Sequence, residues 1–253
     1  MSITDAEVMV LSSIQVYMGG KENIKPHGFG SGFIVKYLDR RFFITVRHVT
    51  DYEGMVTYLE TNLPISANGA ILKPVGGLCY FDMFTLAEGI LPDDFIKFLN
   101  DGPRKRLDIC FAEIKDDVPL LQLAMNFGAF SVPECSKIDL DLTYTDLPNK
   151  EERYGFYGKI KPVYEGMKLH LTPKFNHSLK FHRTNSEFHI FLAPKIIKSA
   201  DEYEGCSGAP ILDSEQRLVG VACAVVTNTK MIYAFPIQKC KELLDTAIQT
   251  GML

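Results

Sequence analysis

Short runs of β-branched and aromatic residues, each soon interrupted by Gly, Pro, Asn or Asp, recur along almost the whole of this 253-residue chain. Candidate strands are 12–17, 31–37, 41–47, 54–59, 71–74, 107–114 and 119–124 in the first half. In the second half they are 153–158, 168–173, 178–183, 187–192, 209–212, 217–226 and 230–235. This spacing predicts an all-β fold, a mainly antiparallel sandwich or barrel, and argues against alternating βαβ units. One helix is expected at the end of the chain. Pro236 suits its first turn, while Ile237, Cys240, Leu243, Leu244, Ala247 and Ile248 share one face, and Gly251 follows as a stop. A shorter helix is expected around Pro92–Leu99, and 114–136 reads as the segment joining two halves.

Composition removes several functions. The 27 basic and 31 acidic side chains leave a net charge of −4, and the densest basic run is Arg104-Lys105-Arg106. A phosphate-binding surface needs many more cations, so that run reads as solvated and nucleic acid is not an expected partner. No segment approaches the roughly 20 apolar residues of a membrane span, so no membrane partner is expected either. The start, Met-Ser-Ile-Thr-Asp-Ala-Glu, carries no basic region of a secretory signal. The six cysteines form no CxxC pair and no Cys/His metal spacing, and several sit in apolar runs as small hydrophobes. A reduced cytoplasmic compartment, with no metal and no cofactor, is the expectation.

Three segments carry chemistry. Gly205-Cys206-Ser207-Gly208-Ala209-Pro210 places one hydroxyl in a Gly-rich bend, where backbone N–H groups can point at a developing oxyanion. Residues 42–49, Phe-Phe-Ile-Thr-Val-Arg-His-Val, are an apolar strand ending in His48. Residues 107–112, Leu-Asp-Ile-Cys-Phe-Ala, are an apolar strand holding Asp108, a carboxylate that is costly there without a partner. A base, an orienting acid and a nucleophile in that order are what a serine hydrolase needs. Taken alone, His48 reads as structural and Ser207 as a turn residue; together the segments favour catalysis. His27, His170, His177, His182 and His189 match no such motif and read as surface or structural.

These segments, with Gly30-Ser31-Gly32-Phe33-Ile34-Val35, resemble the chymotrypsin-like (trypsin-fold) serine peptidases, particularly the bacterial-type trypsin-like domains without disulfides. The resemblance covers about 30 residues, ordered across most of the chain. It implies two packed antiparallel six-stranded β-barrels with a C-terminal helix. Residues 1–120 would form the first, with His48 and Asp108, and 121–253 the second, with Ser207. It also implies Ser207 as nucleophile, His48 as general base, Asp108 as its orienting acid, and the Gly205 and Ser207 N–H groups as the oxyanion hole. Cys206 competes as nucleophile but stands one residue early. It replaces the aspartate that zymogen activation uses in secreted members, so that switch should be absent. Arg47 stands where those members carry alanine, for no reason visible in the sequence.

By the same resemblance, Asp201, Cys223, Ala224, Val225 and Met231 are candidate substrate-pocket residues. Asp201 argues for a basic substrate side chain and the larger wall residues for a small or medium uncharged one; the latter is the expectation. Residues 75–105 read as an insertion shaping the cleft. The leading function is an intracellular serine endopeptidase acting on a protein or peptide. The rivals are a catalytically dormant protein that binds peptides in the cleft, and a protease switched on by an activating protein partner.

Overall fold

In the computed structural model, which describes residues 4–20, 26–63, 71–84, 104–115, 118–143, 145–165 and 168–253, the apolar runs become strands in two groups. The first group is β1 (Ile14–Gly19), β2 (Gly28–Tyr37), β3 (Arg40–Thr45), β4 (Val56–Glu60), β5 (Leu72–Pro74), β6 (Cys79–Phe84) and β7 (Arg104–Glu113). These pair antiparallel in the order β5-β4-β1-β2-β3-β7-β6. A connecting stretch holds β8 (Leu121–Gln122), β9 (Met125–Asn126), β10 (Ser131–Val132), β11 (Cys135–Ser136) and β12 (Leu140–Asp141). Its last strand, β12, returns to pair parallel with β2. The second group is β13 (Tyr154–Glu165), β14 (Lys168–Asn185), β15 (Phe188–Leu192), β16 (Pro210–Asp213), β17 (Leu218–Val225) and β18 (Met231–Pro236). It closes into an antiparallel barrel in the order β13-β14-β15-β18-β17-β16.

Several local expectations change. The two runs 168–173 and 178–183 are one strand, β14, since pairing to β13 continues through Lys174–Asn176. The run 79–84, expected inside an insertion, is strand β6 on β7. The expected helix at Pro92–Leu99 lies outside the described residues. The apolar stretch after Asp5 is helix α1 (Asp5–Ser12), which the sequence reading missed. Thr4 caps it: its hydroxyl accepts from the Glu7 N–H while the Glu7 carboxylate accepts from the Thr4 N–H. After α2 (Arg47–Thr50), the chain ends in α3 (Ile237–Gln249), with Pro236 at its N-cap. Ile237, Cys240, Leu244 and Ala247 are its buried face, as the helical spacing requires.

Strand β17 is buried on both sides, which joins the two groups. Val219 and Ala222 enter the cluster inside the closed barrel, with Phe156, Phe191 and Ile211. Leu218, Val221 and Cys223 enter the larger cluster formed by the first sheet, α1 and α3. Lys137 adds a polar fastening between α1 and the connecting stretch. Its ammonium, enclosed although part of the residue reaches the surface, donates to Val10 O (3.2 Å), Ser13 O (2.6 Å) and Gln122 Oε1 (2.9 Å). Burial, with the nearby Lys159 charge, lowers its pKa to about 7.

That shift has a defined sign. Between about pH 7 and the ordinary lysine range the unfolded chain binds a proton that the folded chain has released, so stability rises with pH across that window. Lys137→Met removes the proton uptake and leaves three acceptors without a donor. The stability of the parent over this variant should therefore grow by about 1.4 kcal/mol per pH unit above pH 7. Urea unfolding at pH 7, 8 and 9 measures it; a difference that stays constant would place the lysine in water.

Candidate active site

Local structure sets the imidazole against the carboxylate. Thr45, the last residue of β3, pairs with Cys110 of β7, so the chain just past β3 runs beside Asp108. Val46 is extended, and the single turn of α2 then brings His48 onto that carboxylate. Oδ2 of Asp108 meets His48 Nδ1 at 2.8 Å, and Oδ1 accepts the His48 backbone N–H at 3.0 Å. Burial raises the Asp108 pKa, but the His48 ring, the His48 backbone N–H and the Arg47 charge together outweigh it and hold the carboxyl below its ordinary value. Asp108 is thus an ionised acceptor that fixes a proton on Nδ1 and leaves Nε2 as the basic nitrogen. Arg47 has its own partner, Asp51, at 2.8 Å.

The nucleophile candidate lies in the loop between a 3₁₀ turn, Ala200–Glu202, and β16. The Ser207 hydroxyl donates to Cys223 O at 3.2 Å and makes no hydrogen bond to His48. The chain segments that carry them nevertheless both adjoin Gly30 of β2. A Cβ on Gly30 would lie 2.6 Å from Val49, next to His48, and 3.2 Å from Ser207 O. Gly205 and Gly208 have φ of +96° and +90°, conformations that L side chains rarely adopt. Among the described residues, the N–H groups of Gly205 and Ser207 donate to no acceptor.

Cys206 belongs to the core of the closed barrel. It is 2% exposed, and its thiol lies so close to Gly158 that a Cβ there would come within 2.8 Å of Sγ. Burial pushes its pKa up to about 12, leaving a neutral thiol that is a poor nucleophile. The six cysteines are all free.

A cavity of about 440 Å³ opens beside Ser207. Of the five expected pocket residues, Asp201, Cys223, Ala224 and Val225 line it. Met231 does not. Neighbouring residues of a strand face opposite sides, and it is Ile232, paired with Val225, that turns inward. The interior walls are the buried Phe156, Cys206, Ala222, Cys223 and Ile232, whereas Asp201 and Glu204 are exposed at the rim. Phe156 and Tyr203 also line the cavity, and no local motif pointed to them.

The fold is trypsin-like. A serine endoprotease from Yersinia pestis superposes with a TM-score of 0.52 at 14% sequence identity, covering 99% of this chain and 69% of the other. No family model and no curated protein matches the sequence.

Proposed function

We propose that this chain is a serine endopeptidase. The observation that carries the reading is the two-point grip of Asp108 on His48, in a chain whose bend at Ser207 holds two uncommitted backbone N–H groups, those of Gly205 and Ser207. With Nδ1 protonated, His48 Nε2 accepts the Ser207 proton as Oγ attacks a peptide carbonyl. The carbonyl oxygen becomes an oxyanion between the Gly205 and Ser207 N–H groups, each such donor lowering the barrier by roughly 3–4 kcal/mol. His48 then passes its proton to the leaving amine, and water hydrolyses the acyl-serine by the same route in reverse. The resting bond from Ser207 to Cys223 O is broken by rotation of Oγ; unliganded sites are often looser than the bound one.

The same resting bond favours a second reading, in which the protein is dormant until a peptide or protein partner turns Ser207 toward His48. The apolar cavity walls suit a medium-sized uncharged side chain, since charges at an exposed rim are screened by water. A cytoplasmic location remains part of the proposal, supported by six free thiols.

A fluorophosphonate probe tests the reading. Ser207 should become phosphonylated in the folded protein, mapped by mass spectrometry, with Cys206 unreacted toward iodoacetamide. A peptide library should be cut after Val-, Leu- or Met-sized residues. An adduct that forms only when substrate peptides or a cell extract is added supports the dormant form. No adduct under any of these conditions rules out the peptidase.

A further inference from the structure

The bend at 205–208 is held by its alternate peptide planes. The Gly205–Cys206 plane is fixed on both sides: its carbonyl accepts from Ser31 Oγ at 2.7 Å, and its N–H donates to Tyr203 O at 2.9 Å. The Ser207–Gly208 plane is fixed the same way, its carbonyl accepting from the Ser31 N–H at 2.8 Å and its N–H donating to Ala222 O at 2.7 Å. One residue of the first sheet, Ser31 on β2, therefore supplies a bond to each plane. The Gly205 and Ser207 N–H groups belong to the other two planes, Glu204–Gly205 and Cys206–Ser207, and meet no acceptor, although the Cys206 carbonyl accepts from the Ala209 N–H at 3.0 Å.

Ser31 is itself immobilised. It is 1% exposed, and its carbonyl accepts the Thr45 hydroxyl at 2.6 Å. That carbonyl and Thr45 Oγ1 also lie so close to Gly208 that a Cβ there would meet them at 1.9 and 2.3 Å. A buried serine hydroxyl has one proton to donate, and this one goes to the carbonyl of a residue 174 positions away. The Ser31 backbone bond would survive in any side chain, so the hydroxyl alone determines whether the Gly205–Cys206 plane is held from the first sheet.

We propose that Ser31 is a positioning residue for the oxyanion hole: its hydroxyl, reaching across from the first sheet, locks the Gly205–Cys206 plane and so keeps the Gly205 N–H turned into the cleft. Turning that N–H away flips the Glu204–Gly205 plane, by rotation about ψ of Glu204 and φ of Gly205. A glycine at positive φ resists such rotation little by itself. The fixed Gly205–Cys206 plane holds the Gly205 Cα, one end of the axis about which that flip turns. This inference rests on the peptidase reading for its kinetic consequence, though not for its structural one.

The test uses Ser31→Ala and, as a larger side chain with only a weak donor, Ser31→Cys. Losing an oxyanion donor outright costs about 10²–10³ in kcat; loosening one should lower kcat by about 10- to 100-fold. KM should stay within twofold, because substrate binding does not use the hydroxyl. Affinity for a peptidyl boronate, which forms the oxyanion-like adduct, should fall with kcat/KM, while affinity for an uncleaved product peptide should not. Hydrogen exchange of residues 203–208 should be about tenfold faster than in the parent, with or without catalysis. If Ser31→Ala does not fold, Ser31→Cys is read by the same measurements. Unchanged kcat and unchanged exchange would overturn the proposal, as would boronate and product affinities falling equally. If the parent neither labels at Ser207 nor turns over, the peptidase reading fails, and exchange alone then decides the role of Ser31.

Discussion

Asp108→Asn is expected to lower kcat by about 10⁴-fold while leaving KM within threefold and the protein folded. The reason is that both carboxylate oxygens are already used, one on each donor of His48. An asparagine has one oxygen to offer. If that oxygen keeps the His48 backbone N–H, the amide NH₂ faces Nδ1 and donates to it. The ring then carries its proton on Nε2, and the nitrogen that should take the Ser207 proton has no lone pair to give. If the amide turns the other way, its NH₂ opposes the backbone N–H and the one-turn helix α2 loses its anchor. Either orientation disables the base. Steady-state kinetics on a peptide ester, with circular dichroism as a fold control, measures the loss. A loss of less than tenfold would mean that Asp108 is a structural carboxylate.

The variant should also change the response to acid. The folded Asp108 carboxyl is held below its ordinary value, so its stabilising contribution is present above the ordinary carboxylate range and fades as pH falls through the folded value. Asp108→Asn should be correspondingly less sensitive to pH at the acid end.

What could be read from the chain beforehand was whatever local pattern determines. His48 and Asp108 each sit at a marked place in an apolar run, and Ser207 in a glycine-flanked bend, so their types and order could be seen without any long-range contact. The helix α1 also had a local sign, the Thr4-x-x-Glu7 box before Val8–Leu11, which the sequence reading did not use. Pocket membership was harder. Met231 and Ile232 differ by one position, and only the register Val225↔Ile232 decides which faces the cavity. Ser31 was the least legible. It belonged to a recognised Gly-Ser-Gly strand, but its partner is in the other half of the molecule, and no spacing in the sequence connects the two.

Gly205→Ala is the second change with a large expected effect, because it combines backbone strain with a collision that has nowhere to relax. At φ +96° an alanine is strained by itself, and its Cβ would lie 2.2 Å from Lys159 O and 2.5 Å from the Phe29 ring. A ring can turn aside, but Lys159 O belongs to β13, which is held in its ladder to β14. The loop must therefore move, and it cannot do so without redirecting the Gly205 N–H. The expected result is a fall of about 10²–10³ in kcat, the cost of one oxyanion donor, together with a loss of ~1–3 kcal/mol in stability from the strained backbone. Gly54→Ala separates the two effects. Its φ is +71°, but nothing lies within 4 Å of an added Cβ, so it should lose stability and keep kcat. Equal losses of kcat in the two variants would trace the effect to weakened folding. A Gly205→Ala enzyme with kcat within threefold of the parent would remove Gly205 from the oxyanion hole, leaving the Ser207 N–H as the remaining candidate donor in the bend.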